Sequence, residues 1–127
     1  MPELVWTLSA ADPKNFVGNA HTRVVGSAGD EVDVKLYYVQ FEPAARTNWH
    51  IHSGEQILVV TRGRCRYQRE GEAVREATSG RSIRFAPGVR HWHGAADDVT
   101  TEHVAINIEN EDTTWLEPVT DAVFAAE

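Results

Sequence analysis

The middle of the chain carries two imidazoles and a carboxamide at even positions, as His50, His52 and Gln56. Side chains two residues apart on an extended strand project from the same face, so these three would share one side. The apolar and mostly β-branched run 57–60 that follows favours a strand buried on both faces over a helix. Burying two imidazoles and an amide is costly unless a partner compensates, and a divalent metal ion would be such a partner.

A second pair of histidines, His91 and His93, lies in the segment 80–94, again with one residue between them. If this segment is extended, both imidazoles face the same way, and His91 could complete a four-ligand site. Mn, Fe, Co, Ni and Zn all suit mixed nitrogen and oxygen ligands with open positions. Glu55 is a weaker candidate ligand, because its odd position places it on the opposite face of the strand from Gln56.

Both segments resemble the two motifs of the cupin superfamily. The first motif occurs here as His50-x-His52-x3-Gln56-x6-Gly63, and the second as Gly80-x5-Ala86-x-Gly88-x2-His91. The chain departs from the usual motifs at three positions. Gln56 stands where most cupins have glutamate, Ala86 replaces the motif proline beside Pro87, and Ala95 replaces an asparagine.

Within the superfamily, five segments are similar to small bacterial cupins that include manganese-dependent hydroxynitrile lyases. They lie between about Phe41 and Ile108 and read ARTNWHIH, GEQILVV, YQREGEAV, FAPGVRHWHGAADD and TTEHVAI. The resemblance implies one metal ion per chain, with Mn favoured. It also implies a reaction, the cleavage or formation of an aromatic cyanohydrin, in which the metal holds the substrate oxygen and His103 moves a proton. The implied metal ligands are His50, His52, Gln56 and His91.

His93 and His103 match pocket positions of those enzymes and are the candidate catalytic residues. Four neutral ligands would leave the full charge on a divalent ion, and the cationic forms of nearby imidazoles are then disfavoured. Neutral imidazoles can take a proton near neutral pH. A packing or ligand-supporting role is the alternative for His93.

The substrate pocket is expected between two strands. In the strand 32–42, the odd positions Tyr37, Val39 and Phe41 would line the cavity, although core packing explains these side chains equally well. In the strand 100–109, the polar alternation that includes His103 would place Asn107 on the cavity side. The opposite face of that strand would direct Val104, Ile106 and Ile108 outward.

Short strands with evenly spaced turns and almost no helical periodicity indicate an all-β fold, a cupin-type jelly-roll barrel or sandwich. We expect one domain over residues 1–127, with an N-terminal arm at 1–19, a barrel core at 41–108 and a tail at 110–127. The arm should contain one short strand. A short helix is expected at 120–126, and a hairpin is expected from 64–69 and 73–77.

The whole chain of 127 residues has a net charge of −7 and a pI near 5.3, which argues against binding to nucleic acid or an anionic membrane. The single cysteine, Cys65, excludes an internal disulfide, and the N-terminus does not resemble a signal peptide. We therefore expect a cytoplasmic protein with a small-molecule substrate. Exposed sheet edges and outward apolar residues predict a homodimer.

Two alternatives to a lyase are open at this point. Other cupins use a similar metal cage for dioxygenation or isomerisation. The chain could also be a non-catalytic module that binds a metal or a small ligand.

Overall fold

A computed structural model describes residues 8–27, 34–108 and 112–126. These ranges contain thirteen strands and one short helix, α1 (Asp121–Phe124). The strands are β1 (Ser9–Ala10), β2 (Phe16–Val17), β3 (Ala20–Ser27), β4 (Val34–Phe41), β5 (Arg46–Thr47), β6 (His50–His52), β7 (Glu55–Arg62), β8 (Arg64–Arg69), β9 (Arg75–Thr78), β10 (Ser82–Phe85), β11 (His91–Ala95), β12 (Thr101–Ile108) and β13 (Thr113–Trp115).

The strands form two antiparallel sheets that curl around a cavity, which confirms the all-β jelly-roll expectation. The six-stranded sheet has the order β1-β3-β4-β12-β7-β10. The seven-stranded sheet has the order β13-β6-β11-β5-β2, and its β8–β9 hairpin is joined through β11. β12 alternates between buried and partly exposed side chains along its whole length, and β7 does so over residues 55–60.

The histidine-rich stretch is not one strand. It breaks at residues 53–54, so that β6 belongs to the seven-stranded sheet and β7 belongs to the six-stranded sheet. The expectation of a strand buried on both faces is also wrong for β7. Gln56, Leu58 and Val60 are buried, but the alternate residues 55, 57 and 59 are only partly buried. The apolar residues on the inner face of β7 are therefore buried, whereas those on its outer face remain partly exposed to solvent.

Several other local predictions are confirmed. The hairpin occurs as β8 and β9, and Thr120 caps α1 by accepting a hydrogen bond of 3.2 Å from the backbone N–H of Val123. The arm differs from its prediction because its described part holds two short strands, β1 and β2, rather than one. The first two residues of the strand expected at 32–42 lie outside the described residues. The division into arm, barrel core and tail stays a prediction.

The C-terminal segment packs on the outside of the seven-stranded sheet. Phe124 and Val119 are buried against Trp92, which is fully buried. The guanidinium of Arg46 is also buried, and it donates to the carbonyl of Val119 at 2.6 Å and to Asp121 at 2.9 Å. A buried charge requires such partners, so Arg46 fixes the end of the chain to the strand that flanks β11.

One glycine decides how closely β11 approaches its neighbour β5. A Cβ atom added at Gly94 would lie 2.3 Å from the carbonyl oxygen of Ala45 and 2.5 Å from the Cβ of Arg46. Only glycine fits such an approach of two backbones.

Within the described part of the chain, no helix has the length and apolar character needed to cross a membrane.

Candidate metal centre

A cavity of about 280 Å³ lies between the inner faces of the two sheets. This volume is at the lower end of the range for pockets that bind small molecules, about 300–1,000 Å³. Its nitrogen-bearing lining consists of His50, His52, Gln56, His93 and Asn107. Its hydroxyl groups come from Thr22, Thr47 and Thr113, and its apolar and aromatic lining comes from Phe16, Tyr37, Val39, Ala105 and Trp115.

Two imidazoles, that of His50 in the cavity lining and that of His91 behind it, are held by backbone carbonyls. The Nδ1 of His50 lies 2.8 Å from the carbonyl oxygen of Asn48, and the Nδ1 of His91 lies 2.9 Å from that of Val89. A carbonyl oxygen only accepts, so each Nδ1 carries the proton and donates it. In the neutral ring, Nε2 then presents a lone pair, and this is the arrangement in which histidine binds a metal.

The amide of Gln56 is oriented in the same way from the other sheet. Its Nε2 donates to Oδ1 of Asn107 at 2.9 Å, which turns Oε1 towards Nε2 of His91, 3.1 Å away. Burial lowers the pKa of His91 to about 3, so at neutral pH its Nε2 carries no proton. Two acceptor atoms therefore face each other in this orientation of the amide, and a cation bound between them would relieve their repulsion.

His52 lies at the same end of the cavity. Its Nδ1 is 3.1 Å from the hydroxyl oxygen of Thr113 on β13. Its ring centroid is 4.9 Å from that of His50 and 5.4 Å from that of His91. The parity of positions 50, 52 and 56 thus brings all three side chains to one cavity although the chain changes sheets between them.

Three histidines, His50, His91 and His93, each offer a ring nitrogen within 4.8 Å of the other two, and this group could hold a metal ion. All three are buried, as is Gln56 nearby. Neutral nitrogen donors with fixed tautomers, together with an amide oxygen, fit a divalent transition metal. The grouping includes His93, whereas the sequence motif points to His52.

His93 and His103 form a pair behind this cluster. The Nε2 of His103 lies 3.1 Å from the Nδ1 of His93, and both rings are buried. His93 lines the cavity, but His103 does not, because it lies beneath His93 and is fully covered. Burial lowers the pKa of His103 to about 4 and holds the pKa of His93 well below 6.5, so both are neutral at pH 7.

The residues predicted to form the pocket divide into two groups. Tyr37, Val39 and Asn107 line the cavity, whereas Phe41 lies behind its wall with no exposed surface. The Phe41 ring packs 5.9 Å from His93 and 5.5 Å from His103, between centroids. Parity placed Phe41 on the inner face correctly, but the end of β4 is covered by the opposite sheet.

Sequence reasoning predicted Tyr37 but missed the other two carbocyclic residues of the lining. Phe16 comes from β2 in the N-terminal arm, and Trp115 comes from β13 near the C-terminus. Neither residue belongs to a motif. Trp115 reaches the cavity because β13 pairs with β6, with Trp115 opposite His50 and Thr113 opposite His52. The sequence gives no signal for such long-range pairing between short strands.

Residues 37–107 match the family described as the cupin domain. The chain belongs to the cupin family. This cupin is 42% identical over 111 residues to an (R)-mandelonitrile lyase of Granulicella tundricola, and the match covers 86% of this chain and 85% of that protein. The resemblance stated from the two motifs is therefore confirmed at the level of the family.

Two solved structures show the same fold. A cupin-like protein of Thermotoga maritima superimposes with a TM-score of 0.88 and 35% identity, covering 97% of this cupin and 95% of that chain. A polyketide cyclase of Streptomyces resistomycificus gives a TM-score of 0.72 with 14% identity, covering 98% of this cupin and 91% of that chain. At that identity the second likeness shows the fold alone.

Proposed function

We propose that this cupin is a metal-dependent lyase that cleaves or forms an aromatic cyanohydrin. One observation carries the proposal: His50 and His91 donate their Nδ1 protons to backbone carbonyls, which leaves each Nε2 without a proton, and the Nε2 of His91 faces Oε1 of Gln56. Hydrogen bonds from the other ring nitrogen to a carbonyl oxygen are typical of metal-bound histidines. The identity of 42% with a mandelonitrile lyase over most of both chains supports an enzyme and this reaction.

The proposed ligands are His50, His52, Gln56 and His91. Gln56 is preferred because Asn107 holds its amide nitrogen, and its oxygen is therefore fixed against Nε2 of His91. His93 is assigned a different role because its Nδ1 is already engaged with His103. Manganese is the proposed metal by resemblance, and Fe, Co, Ni and Zn suit the same donors.

A divalent ion held by these residues supplies Lewis-acid chemistry, since it polarises a carbonyl oxygen and lowers the pKa of a bound hydroxyl. The four ligands carry no charge, so they do not offset the charge of the ion. The polar side chains His50, Gln56, His93 and Asn107 in the cavity lining are buried, which strengthens electrostatic interactions among them. Asn107, Tyr37 and Val39 form the part of the pocket nearest to the six-stranded sheet, where a small substrate would be held.

The proton is handled by His93 and His103 acting in series. In cleavage, the substrate hydroxyl gives its proton to His93, the bond to the nitrile carbon breaks, and cyanide leaves with the electron pair as the carbonyl forms. His93 passes its Nδ1 proton to His103, 3.1 Å away; the reverse transfer then restores that proton to Nδ1 of His93, and Nε2 of His93 gives its own proton to cyanide. Because burial disfavours both cations, neither imidazole retains the proton, and the products are an aldehyde and hydrogen cyanide.

The test is a direct assay of the manganese-loaded protein with benzaldehyde and cyanide, followed by chiral analysis of any mandelonitrile. Turnover that depends on the metal and is lost in His91→Ala is the expected result. Oxygen uptake with candidate substrates, in the absence of cyanohydrin formation, would favour a dioxygenase instead. Inactivity in both assays would leave a binding module as the better description.

A homodimer is the proposed assembly. On the outer face of the six-stranded sheet, Val104, Ile106 and Ile108 are only partly buried. Val104 lies opposite Val59, and Ile106 lies opposite Ile57, so the apolar strip spans neighbouring strands. Covering such a strip by a second copy is favourable. Light scattering should give a dimer mass at micromolar concentration, and a monomer mass would contradict the proposal.

A further inference from the structure

Five rings form a closed series of contacts along one wall of the cavity. Phe41 packs against Phe16 with centroids 6.0 Å apart, and Phe16 packs against Trp115 at 5.9 Å. Trp115 lies 4.7 Å from His50, and His50 lies 5.4 Å from His93. His93 closes the series through an edge contact with Phe41 at 5.9 Å. The separations are those of interacting aromatic pairs, so the wall is continuous.

Three carbocyclic rings line the cavity, those of Phe16, Tyr37 and Trp115, and Phe16 and Trp115 come from segments near the ends of the chain. Phe16 is anchored by pairing of β2 with β5, where it lies opposite Thr47, and Trp115 is anchored by pairing of β13 with β6, where it lies opposite His50. Both lie outside residues 37–107, which match the cupin family. The family barrel thus supplies the imidazoles, and the flanking strands of this chain supply the aromatic surface beside them.

Trp115 differs from the other members of the wall in its exposure. It is 38% exposed, and it is the one large apolar side chain classed as exposed among the residues that the structure describes. It nevertheless lines the cavity. An indole at a cavity mouth, packed on one side against His50 and Phe16, retains surface that a ligand can cover at little cost in conformational entropy.

We propose that Phe16 and Trp115 bind the ring of an aromatic substrate and set a preference for aryl over alkyl compounds. This inference rests on the proposed function, because it assigns the substrate class to the same cavity. A ring placed against Trp115 would lie beside His50, the neighbour of Trp115 in the wall. Elsewhere in the lining, Tyr37 supplies a further ring from β4, and Val39 and Ala105 provide no π surface.

The experiment compares the binding of benzyl alcohol and cyclohexylmethanol, which have the same framework but differ in aromaticity. Calorimetry on protein with matched manganese content gives the ratio of the two dissociation constants. The native protein should prefer benzyl alcohol, and Trp115→Leu should reduce that preference by about 2- to 12-fold, the range for aromatic pairing beyond buried area. Trp115→Phe should retain most of the preference, because it keeps a ring in the wall.

Two further variants keep the test decisive. Tyr38→Leu removes an aromatic residue whose neighbours Tyr37 and Val39 face the cavity, and the preference should remain unchanged. Phe16→Leu, which alters the wall away from the proposed ligands, should reduce the preference even if Trp115→Leu loses metal. No preference in the native protein, or an equal loss of both alcohols in Trp115→Leu and Phe16→Leu, would overturn the proposal.

The same variants separate this inference from the reaction. In one outcome, the protein prefers benzyl alcohol in a way that depends on Trp115 and yet forms no mandelonitrile. That result would support ring binding by Trp115 and contradict the proposed lyase reaction. Lyase activity that treats benzaldehyde and cyclohexanecarbaldehyde alike in native protein and in Trp115→Leu would retain the lyase and reject the wall.

Discussion

The two sheets contribute different chemistry to the cavity between them. The seven-stranded sheet provides four imidazoles from only two strands, with His50 and His52 on β6 and His91 and His93 on β11. The six-stranded sheet provides Gln56 on β7 and Asn107 on β12 to the lining, and it holds His103 of β12 behind the lining.

The two groups also differ in how their side chains are held. The backbone of the seven-stranded sheet fixes the tautomers of His50 and His91 directly, through the carbonyls of residues 48 and 89. In the six-stranded sheet, Gln56 is held by the side chain of Asn107, and the Nδ1 of His103 has no hydrogen-bond partner among the described residues outside its own backbone. We therefore expect the seven-stranded sheet to control metal binding and the six-stranded sheet to adjust it and to accept the proton.

The largest expected effect is the loss of metal from a variant of the seven-stranded sheet. His91→Ala and His52→Ala should each remove most of the bound metal, because the loss of one of four ligands opens the site. Elemental analysis of purified protein measures this. His93→Ala, from the same strand as His91, is the matched control and should retain its metal. Full occupancy in His52→Ala together with an empty His93→Ala would replace the proposed ligands with the group His50, His91 and His93.

Next in size is the effect of His103→Ala in the six-stranded sheet. If His103 accepts the proton through His93, metal content should stay unchanged, and turnover should fall by about 10²- to 10⁴-fold, the usual range for a positioned acid or base. Parallel measurements of kcat and metal content test this. A joint fall of metal and activity would make His103 a ligand. Full metal with full turnover would assign the proton transfer to His93 alone.

The comparison of sheets also explains what could be predicted from the sequence. Alternation along a strand is local, so it identified the inner face of β12, with His103 and Asn107 buried and Ile106 only partly buried. The even spacing of His50 and Gln56 predicted a shared site, which the structure forms although the two residues belong to different sheets. The prediction holds although the chain changes sheets between β6 and β7, because the inner faces of both strands border the same cavity.

Alternation along a strand could not predict how deeply an inward side chain is buried, nor which strands distant in sequence pair with each other. Parity places His93 and His103 on inner faces, but only the curvature of the sheets puts His103 beneath His93 and away from the lining. Phe41 is hidden for the same reason. The contribution of Trp115 depends on the pairing of a three-residue strand with β6, and strands of that length carry almost no sequence signal.

A smaller effect is expected where the six-stranded sheet supports a ligand indirectly. Asn107→Leu keeps the volume of the side chain but removes the acceptor for the Nε2 of Gln56. The amide can then rotate, and metal affinity should fall by about 10- to 100-fold, as is usual for partners of metal ligands. Competition with a chelator gives the affinity. Thr22→Val, which changes another cavity-lining polar residue, is the control, and equal affinities in the two variants would contradict the support by Asn107.

The smallest effect per residue is the dependence of stability on pH in the metal-free protein. Burial lowers the pKa of His91 to about 3 and that of His103 to about 4, and it holds the pKa of His93 well below 6.5. Below pH 6.5 the unfolded chain binds these protons and the folded chain does not, so the free energy of unfolding decreases as pH falls. Each group should contribute about 1.4 kcal/mol per pH unit until its folded pKa is reached.

Urea unfolding of metal-free protein at pH 7.5, 6.0, 5.5 and 5.0, on the order of one unit either side of the histidine pKa, measures this slope. His103→Gln removes the titrating group of the six-stranded sheet and should lower the slope between about pH 6 and 5 by about 1.4 kcal/mol per unit. The paired change of His91 and His93 to Gln should lower the slope by about twice that amount, since two neutral imidazoles of the seven-stranded sheet are then absent.

The change in slope is informative even if each variant is less stable at pH 7.5, because a constant loss of stability shifts the curve without altering its gradient. An unchanged slope in His103→Gln would mean that its imidazole gains a proton in the folded protein, and the six-stranded sheet would then hold a charged group next to the site.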